Sequence, residues 1–272
     1  MLMQFEDLTT DSAVPMILFW IIFFILSLVL INSHSMSKRR GIFLYLIAIF
    51  FAGVFLGGIP NVVLPIEYTL NVIASKGDLI GVLHPLAICG VIMGSSLVVG
   101  RIFCGFVCPL GALQEVISQK NFPSDVTSYQ KNTSHINVDL RLSTKIRWVF
   151  LGILFITSFL GISFFSEVNP LSGFVFIIRF SLFIMLVVSF LSFFLYRPWC
   201  RFLCPFGAGS AFCGQFATIK YRRTSDCTDC GKCEIVCPTQ EAAADSKKGE
   251  CYFCNRCIEV CPHDAIRYDL EL

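Results

Sequence analysis

Charge is scarce in this sequence: only 15% of its 272 residues are Asp, Glu, Lys or Arg, and the formal net charge is +2. That excludes a basic nucleic-acid surface and is too little charge for a soluble domain of this length. Histidine is scarcer, with four in the chain, and only His84 lies within a long apolar stretch. A helical bundle holding b-type haem usually presents paired axial histidines, so a haem-free protein is expected. No glycine-rich phosphate loop or dinucleotide fingerprint occurs, which leaves nicotinamide and flavin binding without support. What is abundant is apolar surface, at 55% of residues, together with fourteen cysteines.

Five stretches, 14–31, 41–59, 79–103, 148–165 and 174–196, approach the roughly 20 apolar residues needed to cross a hydrocarbon core. The first resembles a signal peptide in position, yet Glu6, Asp7 and Asp11 precede it and Lys38, Arg39 and Arg40 follow it. That charge order is the reverse of a secretory leader and suits an anchor with its N-terminus outside. Arg101 to Arg147, and then Arg197, Arg201, Lys220, Arg222 and Arg223, fall on the same side as Lys38. The expectation is an α-helical bundle of about five spans in the cytoplasmic (inner) membrane, N-terminus outside and C-terminus in the cytoplasm. Three parts are expected: an anchor and basic loop at 1–40, a four-helix membrane domain at 41–215, and a small α+β module at 216–272.

That last module holds Cys227-x2-Cys230-x2-Cys233-x3-Cys237-Pro238 and then Cys251-x2-Cys254-x2-Cys257-x3-Cys261-Pro262. In such a bacterial-type ferredoxin run, three close cysteines take three corners of one cube and the fourth serves the other cube. Cys227, Cys230, Cys233 and Cys261 are therefore expected on one [4Fe–4S] cluster, and Cys251, Cys254, Cys257 and Cys237 on a second. A zinc ribbon also uses paired C-x2-C, but it would employ four cysteines and leave four redundant.

A different duplication lies upstream. Arg101-Ile102-Phe103-Cys104-Gly105-Phe106-Val107-Cys108-Pro109-Leu110-Gly111-Ala112 recurs as Arg197-Pro198-Trp199-Cys200-Arg201-Phe202-Leu203-Cys204-Pro205-Phe206-Gly207-Ala208. Each copy ends an apolar stretch, so stretches two–three and four–five read as two repeated hairpins. A C-x3-C pair puts two sulfurs on one face, and two facing pairs offer four thiolates for a third iron–sulfur cluster: Cys104, Cys108, Cys200 and Cys204. The alternative is that they are buried free thiols. Cys89 and Cys213 have no partner at ligand spacing and read as ordinary buried residues, and Leu113, Val116 and Ile117 read as the apolar face of an interfacial helix.

Together, from about Gly41 to Leu272, these motifs resemble the NapH-like family, the membrane-bound ferredoxin-type quinol dehydrogenase subunits of periplasmic nitrate reductase systems. The first apolar stretch and the acidic N-terminus are additions to that family's pattern. The resemblance implies that a quinol such as menaquinol is oxidised at the membrane. Electrons then pass through iron–sulfur clusters to other redox subunits of an anaerobic respiratory complex, ferredoxin-like or cytochrome, in a hetero-oligomer. For a quinone contact, His84, Glu67, Glu167 and Arg179 are the titratable groups near the outer ends of the spans, and His84 is the candidate. Two alternatives stand beside this reading. One is a metal-reducing assembly factor of the kind that matures a copper–haem oxidase, although such chains continue past their clusters. The other is an anchor and electron wire whose quinone is bound by another subunit.

Overall fold

The computed structural model describes residues 10–32, 38–58, 64–75, 80–132, 136, 138–175 and 179–270, with the side chains of 10–19, 32, 38, 65, 80–82, 84, 85, 175, 179 and 270, His84 and Arg179 among them, outside the description. The architecture is mostly helical. In chain order it runs α1 (Thr10–Asn32), α2 (Lys38–Ile47) continuing into a π-helical stretch (Ala48–Phe55), α3 (Leu64–Ala74), α4 (Ile80–Val99), α5 (Pro109–Ser118) and α6 (Val126–Lys131). Then come α7 (Leu140–Phe159), α8 (Phe164–Val168), α9 (Arg179–Leu191) and α10 (Pro205–Gly214), followed by β1 (Ile219–Arg223), α11 (Lys232–Ile235), α12 (Arg256–Glu259) and β2 (Ile266–Leu270).

Among the described residues each of the five apolar stretches contains helix, because in an apolar surrounding such runs satisfy their own peptide groups as helices. Length is another matter. Among the described residues one helix, Leu140–Phe159, is long and apolar enough to cross a membrane by itself, while Trp20–Ile31, Leu86–Val99 and Phe180–Leu191 are shorter apolar helices. By length and composition, one described helix therefore meets the requirement for a span, and the other apolar helices fall short of it. Only 22% of the apolar window in α7 is buried, and Val149, Ile156, Phe159, Phe183, Leu186 and Phe190 are exposed along α7 and α9.

Beyond stretch two lies α3, whose Glu67 accepts the Phe165 N–H at 2.8 Å while Asn71 Nδ2 donates to Ser163 Oγ at 3.1 Å. Glu67 thus caps a short helix and is 3% exposed. In α5 the buried face is Leu110, Gln114, Glu115 and Ser118, whereas Leu113, Val116 and Ile117 are only half-buried. The amphipathic helix is present, but its polar stripe faces inward.

The cysteine-rich module packs on the end of α4. Its two strands pair antiparallel with Tyr221 opposite Tyr268. The Tyr268 hydroxyl donates to the Val99 carbonyl at 3.0 Å, and Thr218 Oγ1 donates to that of Val98 at 3.0 Å. Tyr221, Phe253 and Tyr268 form a mutual edge-on cluster with ring centroids 5.1 to 5.8 Å apart, a small apolar core for a module with little else to bury.

Candidate metal centres

The two four-cysteine runs of the module have the same backbone. Each bends through left-handed positions at equivalent places: Asp229 and Phe253, Gly231 and Asn255, Gln240 and Asp264. The bends curl the chain round two hollows. One is lined by Cys227, Cys230, Cys233 and Cys261; the other by Cys237, Cys251, Cys254 and Cys257. Each hollow therefore gathers three close cysteines of one run and the last cysteine of the other. Backbone N–H groups point at the sulfurs, with Glu241 donating to Cys237 Sγ and Ala265 to Cys261 Sγ, both at 3.3 Å. Such amide nests favour anionic sulfur.

Among the described residues no three His, Cys, Asp or Glu side chains converge on a point where one ion could sit. A tetrahedral zinc needs four sulfurs about 2.3 Å from a common centre. Sulfurs spread round a hollow suit the separated corners of a cluster instead. Burial pushes the Cys237 and Cys257 thiols upward, so as free thiols they stay protonated at neutral pH, and iron would displace those protons. Cys230 is exposed, which places the first hollow at the outer surface.

The upstream C-x3-C-P copies are also structural copies. Phe103–Val107 and Trp199–Leu203 are each one π-helical turn, closed by the Cys108 N–H to the Phe103 carbonyl and the Cys204 N–H to the Trp199 carbonyl, both at 2.9 Å. Such single turns recur at functional sites. The second cysteine of each is extended, at φ −67°, ψ 118° and φ −72°, ψ 112°, and proline starts the next helix. The repeated glycine is required by close approach: a Cβ on Gly111 would stand 2.5 Å from the Cys104 carbonyl oxygen, and one on Gly207 3.0 Å from that of Cys200.

The two turns exchange contacts. Gln114 and Ser210 hold the same register in the two copies; Gln114 Nε2 donates to Cys200 Sγ at 3.3 Å, and Ser210 Oγ lies 3.6 Å from Cys104 Sγ. Burial, reinforced by the nearby Cys200 and Cys104, holds the Cys108 thiol well above its ordinary range, and the same causes push Cys204 up to about 12. The Cys108 and Cys204 thiols, close to Cys104 and Cys200, are thus ones that a metal, and not water, would ionise.

Round them sits a cage of positive charge. Arg101, Arg147, Arg197, Arg201 and Arg256 are all buried, with Glu115 and Glu250 the carboxylates among them. Glu250 receives Arg101 Nη1 at 2.5 Å and Arg147. Glu115 receives Arg197 Nε at 2.9 Å, Arg256 Nη1 at 2.7 Å and the Tyr196 hydroxyl at 2.7 Å. Burial opposes ionisation of Glu115, but Arg256 and Arg197 together overcome it and hold the carboxyl at about 2. Arg101 Nε and Nη2 have no hydrogen-bond partner among the described residues. A surplus of buried guanidinium with orphaned N–H groups is costly unless an anionic body shares the cage. A cluster on four thiolates is such a body, so these residues fit one.

Tyr252, between Cys251 and Cys254, is the wedge that joins the two systems. Its ring lies between the guanidinium carbons of Arg101 at 4.3 Å and Arg197 at 4.6 Å, and its hydroxyl donates to the Cys200 carbonyl at 3.3 Å. Arg201 Nη1 donates to the Pro238 carbonyl at 3.2 Å, just past Cys237. The hollow lined by Cys237, Cys251, Cys254 and Cys257 therefore abuts the paired turns, and the one with exposed Cys230 lies beyond it.

Sequence reading missed Gln114, Glu115, Arg147, Ser210, Glu250, Tyr252 and Arg256. The repeated Arg101 and Arg197 belong to the cage, but its carboxylates come from outside the repeat. Cys89 is buried as expected, whereas Cys213 is part-exposed. His84 lies near the start of α4, with its side chain outside the described residues, as is that of Arg179.

A family model described as a 4Fe-4S binding domain matches residues 82–124 and again 179–217, so that each match contains one C-x3-C-P turn. A second model, also described as a 4Fe-4S binding domain, matches 247–267. The methylamine utilization ferredoxin-type protein MauN of Paracoccus denitrificans is 31% identical over 162 residues, covering 57% of this chain and 54% of that protein. An uncharacterized protein of Methanocaldococcus jannaschii is 31% identical over 55% of this chain and 63% of its own length. The ferredoxin-type protein NapH of Escherichia coli is 27% identical over 51% of this chain and 47% of its own length. The chain thus spans between about half and under two thirds of these relatives. No solved structure matches it.

Proposed function

We propose that this chain, which is similar to the ferredoxin-type proteins MauN and NapH and carries matches to 4Fe-4S binding domains, is the quinol-oxidising membrane subunit of a respiratory chain. In this reading Cys237, Cys251, Cys254 and Cys257 hold one [4Fe–4S] cluster, Cys227, Cys230, Cys233 and Cys261 a second, and Cys104, Cys108, Cys200 and Cys204 a third. When bound, each cluster supplies one-electron uptake and release. The chain's own residues do the rest. The arginine cage neutralises the thiolates of the paired turns, Tyr252 excludes water between those turns and the Cys251 run, and exposed Cys230 faces an external redox partner.

The observation that carries the reading is the Tyr252 wedge, which sets two groups of four cysteines side by side at the base of the helical unit. Membrane insertion with several crossings, and the cytoplasmic side for the cysteines, are supported by the outward apolar faces of α7 and α9 and by the basic segments flanking the helices. The test is an iron count with a quinol titration. Purified protein should hold about twelve iron atoms and Cys104→Ser about eight, and a menaquinol analogue should bleach the cluster absorbance. About eight in the unaltered protein removes the third cluster. Intact clusters that ignore the quinol leave an anchor and wire.

A further inference from the structure

A further cleft opens beside the inner cysteine-lined hollow and shares Cys254, Asn255 and Arg256 with its lining. Its walls include Tyr45 and Phe106, Glu115 and Gln119, and Phe122 and Arg256, and it touches Cys254. Three aromatic rings bound it, with Tyr45 and Phe106 stacked at 5.2 Å and 11°. Polar groups stand on the other sides: Arg256 is 4% exposed, with its Nε donating to the Phe122 carbonyl at 2.6 Å, and the Gln119 amide lines the wall. Glu115 is locked by two arginines and stays ionised, so the cleft combines flat apolar walls with fixed polar anchors. Such walls carry the chemistry of a small-molecule site; about 30 Å³ of space is open between them, so a bound ring must displace side chains.

Its position suggests the ligand. Gly41 and Tyr45 belong to the first turns of α2, directly after exposed Arg39 and Arg40, and Phe43 and Leu46 on the same helix are exposed. A basic run followed by outward apolar residues marks a membrane–water boundary. Space is open at the mouth, since a Cβ on Gly41 would meet nothing nearer than a Tyr45 ring carbon at 3.9 Å. His84, by contrast, lies about fifteen residues before the end of α4, roughly 20 Å away along that helix.

We propose that this cleft binds the ring of an isoprenoid quinone, with its tail leaving past Phe43 and Leu46 into lipid and its ring against the Cys254 side of the inner centre. The proposal rests on the quinol-oxidising reading above. It moves the quinone contact from His84 to the opposite end of the helical unit. A quinol bound there is oxidised to quinone by losing two electrons and two protons. An oxidised iron–sulfur cluster held through Cys254 would supply the oxidant, taking the electrons one at a time, and the protons would pass to water at the open mouth.

The test uses the full cluster-loaded chain in lipid nanodiscs and a photoactivatable azidonaphthoquinone. Labelling is expected on the peptides that carry Gly41–Tyr45 and Phe122. Gly41→Trp should fill the mouth and cut labelling at least ten-fold, while iron content and the dithionite-reduced cluster signal stay unchanged. Gln119→Leu decides the matter if Gly41→Trp loses its clusters. Labelling that centres on the peptide containing His84, or that neither variant reduces, overturns the cleft; so does an unlabelled protein whose clusters menaquinol analogue still bleaches, and in each case quinol oxidation stands. An unlabelled protein whose intact clusters ignore the quinol overturns both readings.

Discussion

Arg197, in the second C-x3-C-P turn, meets its carboxylate Glu115 on α5 of the same helical unit, whereas Arg101, in the first turn, meets Glu250, supplied by the cysteine-rich module. The two turns otherwise share a π-helical backbone, a proline-started helix and a glycine under a cysteine carbonyl. The register position of Glu115 in the second copy is Ala211, which has no charge to offer. The duplication is thus electrostatically incomplete on one side until the module docks. The module also sends Arg256 back to Glu115, so acid and base are exchanged across the junction. Buried pairs of this kind add little net stability over apolar packing, but they penalise any arrangement that leaves one member alone. Here they specify where the module sits.

That difference can be broken at Glu250. Glu250→Gln strands Arg101 and Arg147 as buried cations, and should lower the stability of the cluster-loaded protein by about 3–5 kcal/mol. The denaturant midpoint for loss of cluster absorbance reads this, and an unmoved midpoint would mean that aromatic packing alone seats the module. A smaller effect separates the two glycines. Gly111→Ala must displace the Cys104 carbonyl and should cost about 1–3 kcal/mol by overpacking. Gly207→Ala has half an ångström more room and should cost less; equal costs, read from the same midpoint, would show that the turns yield alike.

A further effect is read from its pH dependence in acid. Glu115 has a folded value of about 2 against an ordinary value of 4.5. A depressed value means stability that is present above the unfolded value and drains as pH falls from 4.5 toward 2. Glu115→Gln should flatten the pH dependence of the midpoint across that window. A slope that survives the substitution would assign the acid sensitivity to other carboxylates.

Much of the helical layout could be read directly, because long apolar runs have one way to pair their backbone groups, and α1, α2, α4, α7 and α9 fall on the five anticipated stretches. On α5 the half-buried Leu113, Val116 and Ile117 carry the apolar face read for an interfacial helix. Gln114, Glu115 and Ser118 face inward, since sulfur and guanidinium neighbours outweigh the cost of burying them. Nothing local marks Glu115 as a partner of Arg197, or Glu250 as a partner of Arg101, because those contacts join residues far apart along the chain.

The sequence by itself determined the chemistry: cysteine spacing decides which sulfurs can reach a common body, and that is a short-range property of the backbone. It also determined the duplication of the turns, visible in the matched Arg, Cys, Pro, Gly and Ala. Only the tertiary structure decided how the two cysteine systems meet, with Tyr252 between Arg101 and Arg197 and each carboxylate shared by two arginines. The physical reason is that a buried charge is defined by its surroundings in three dimensions, and those surroundings come from four separate stretches of chain.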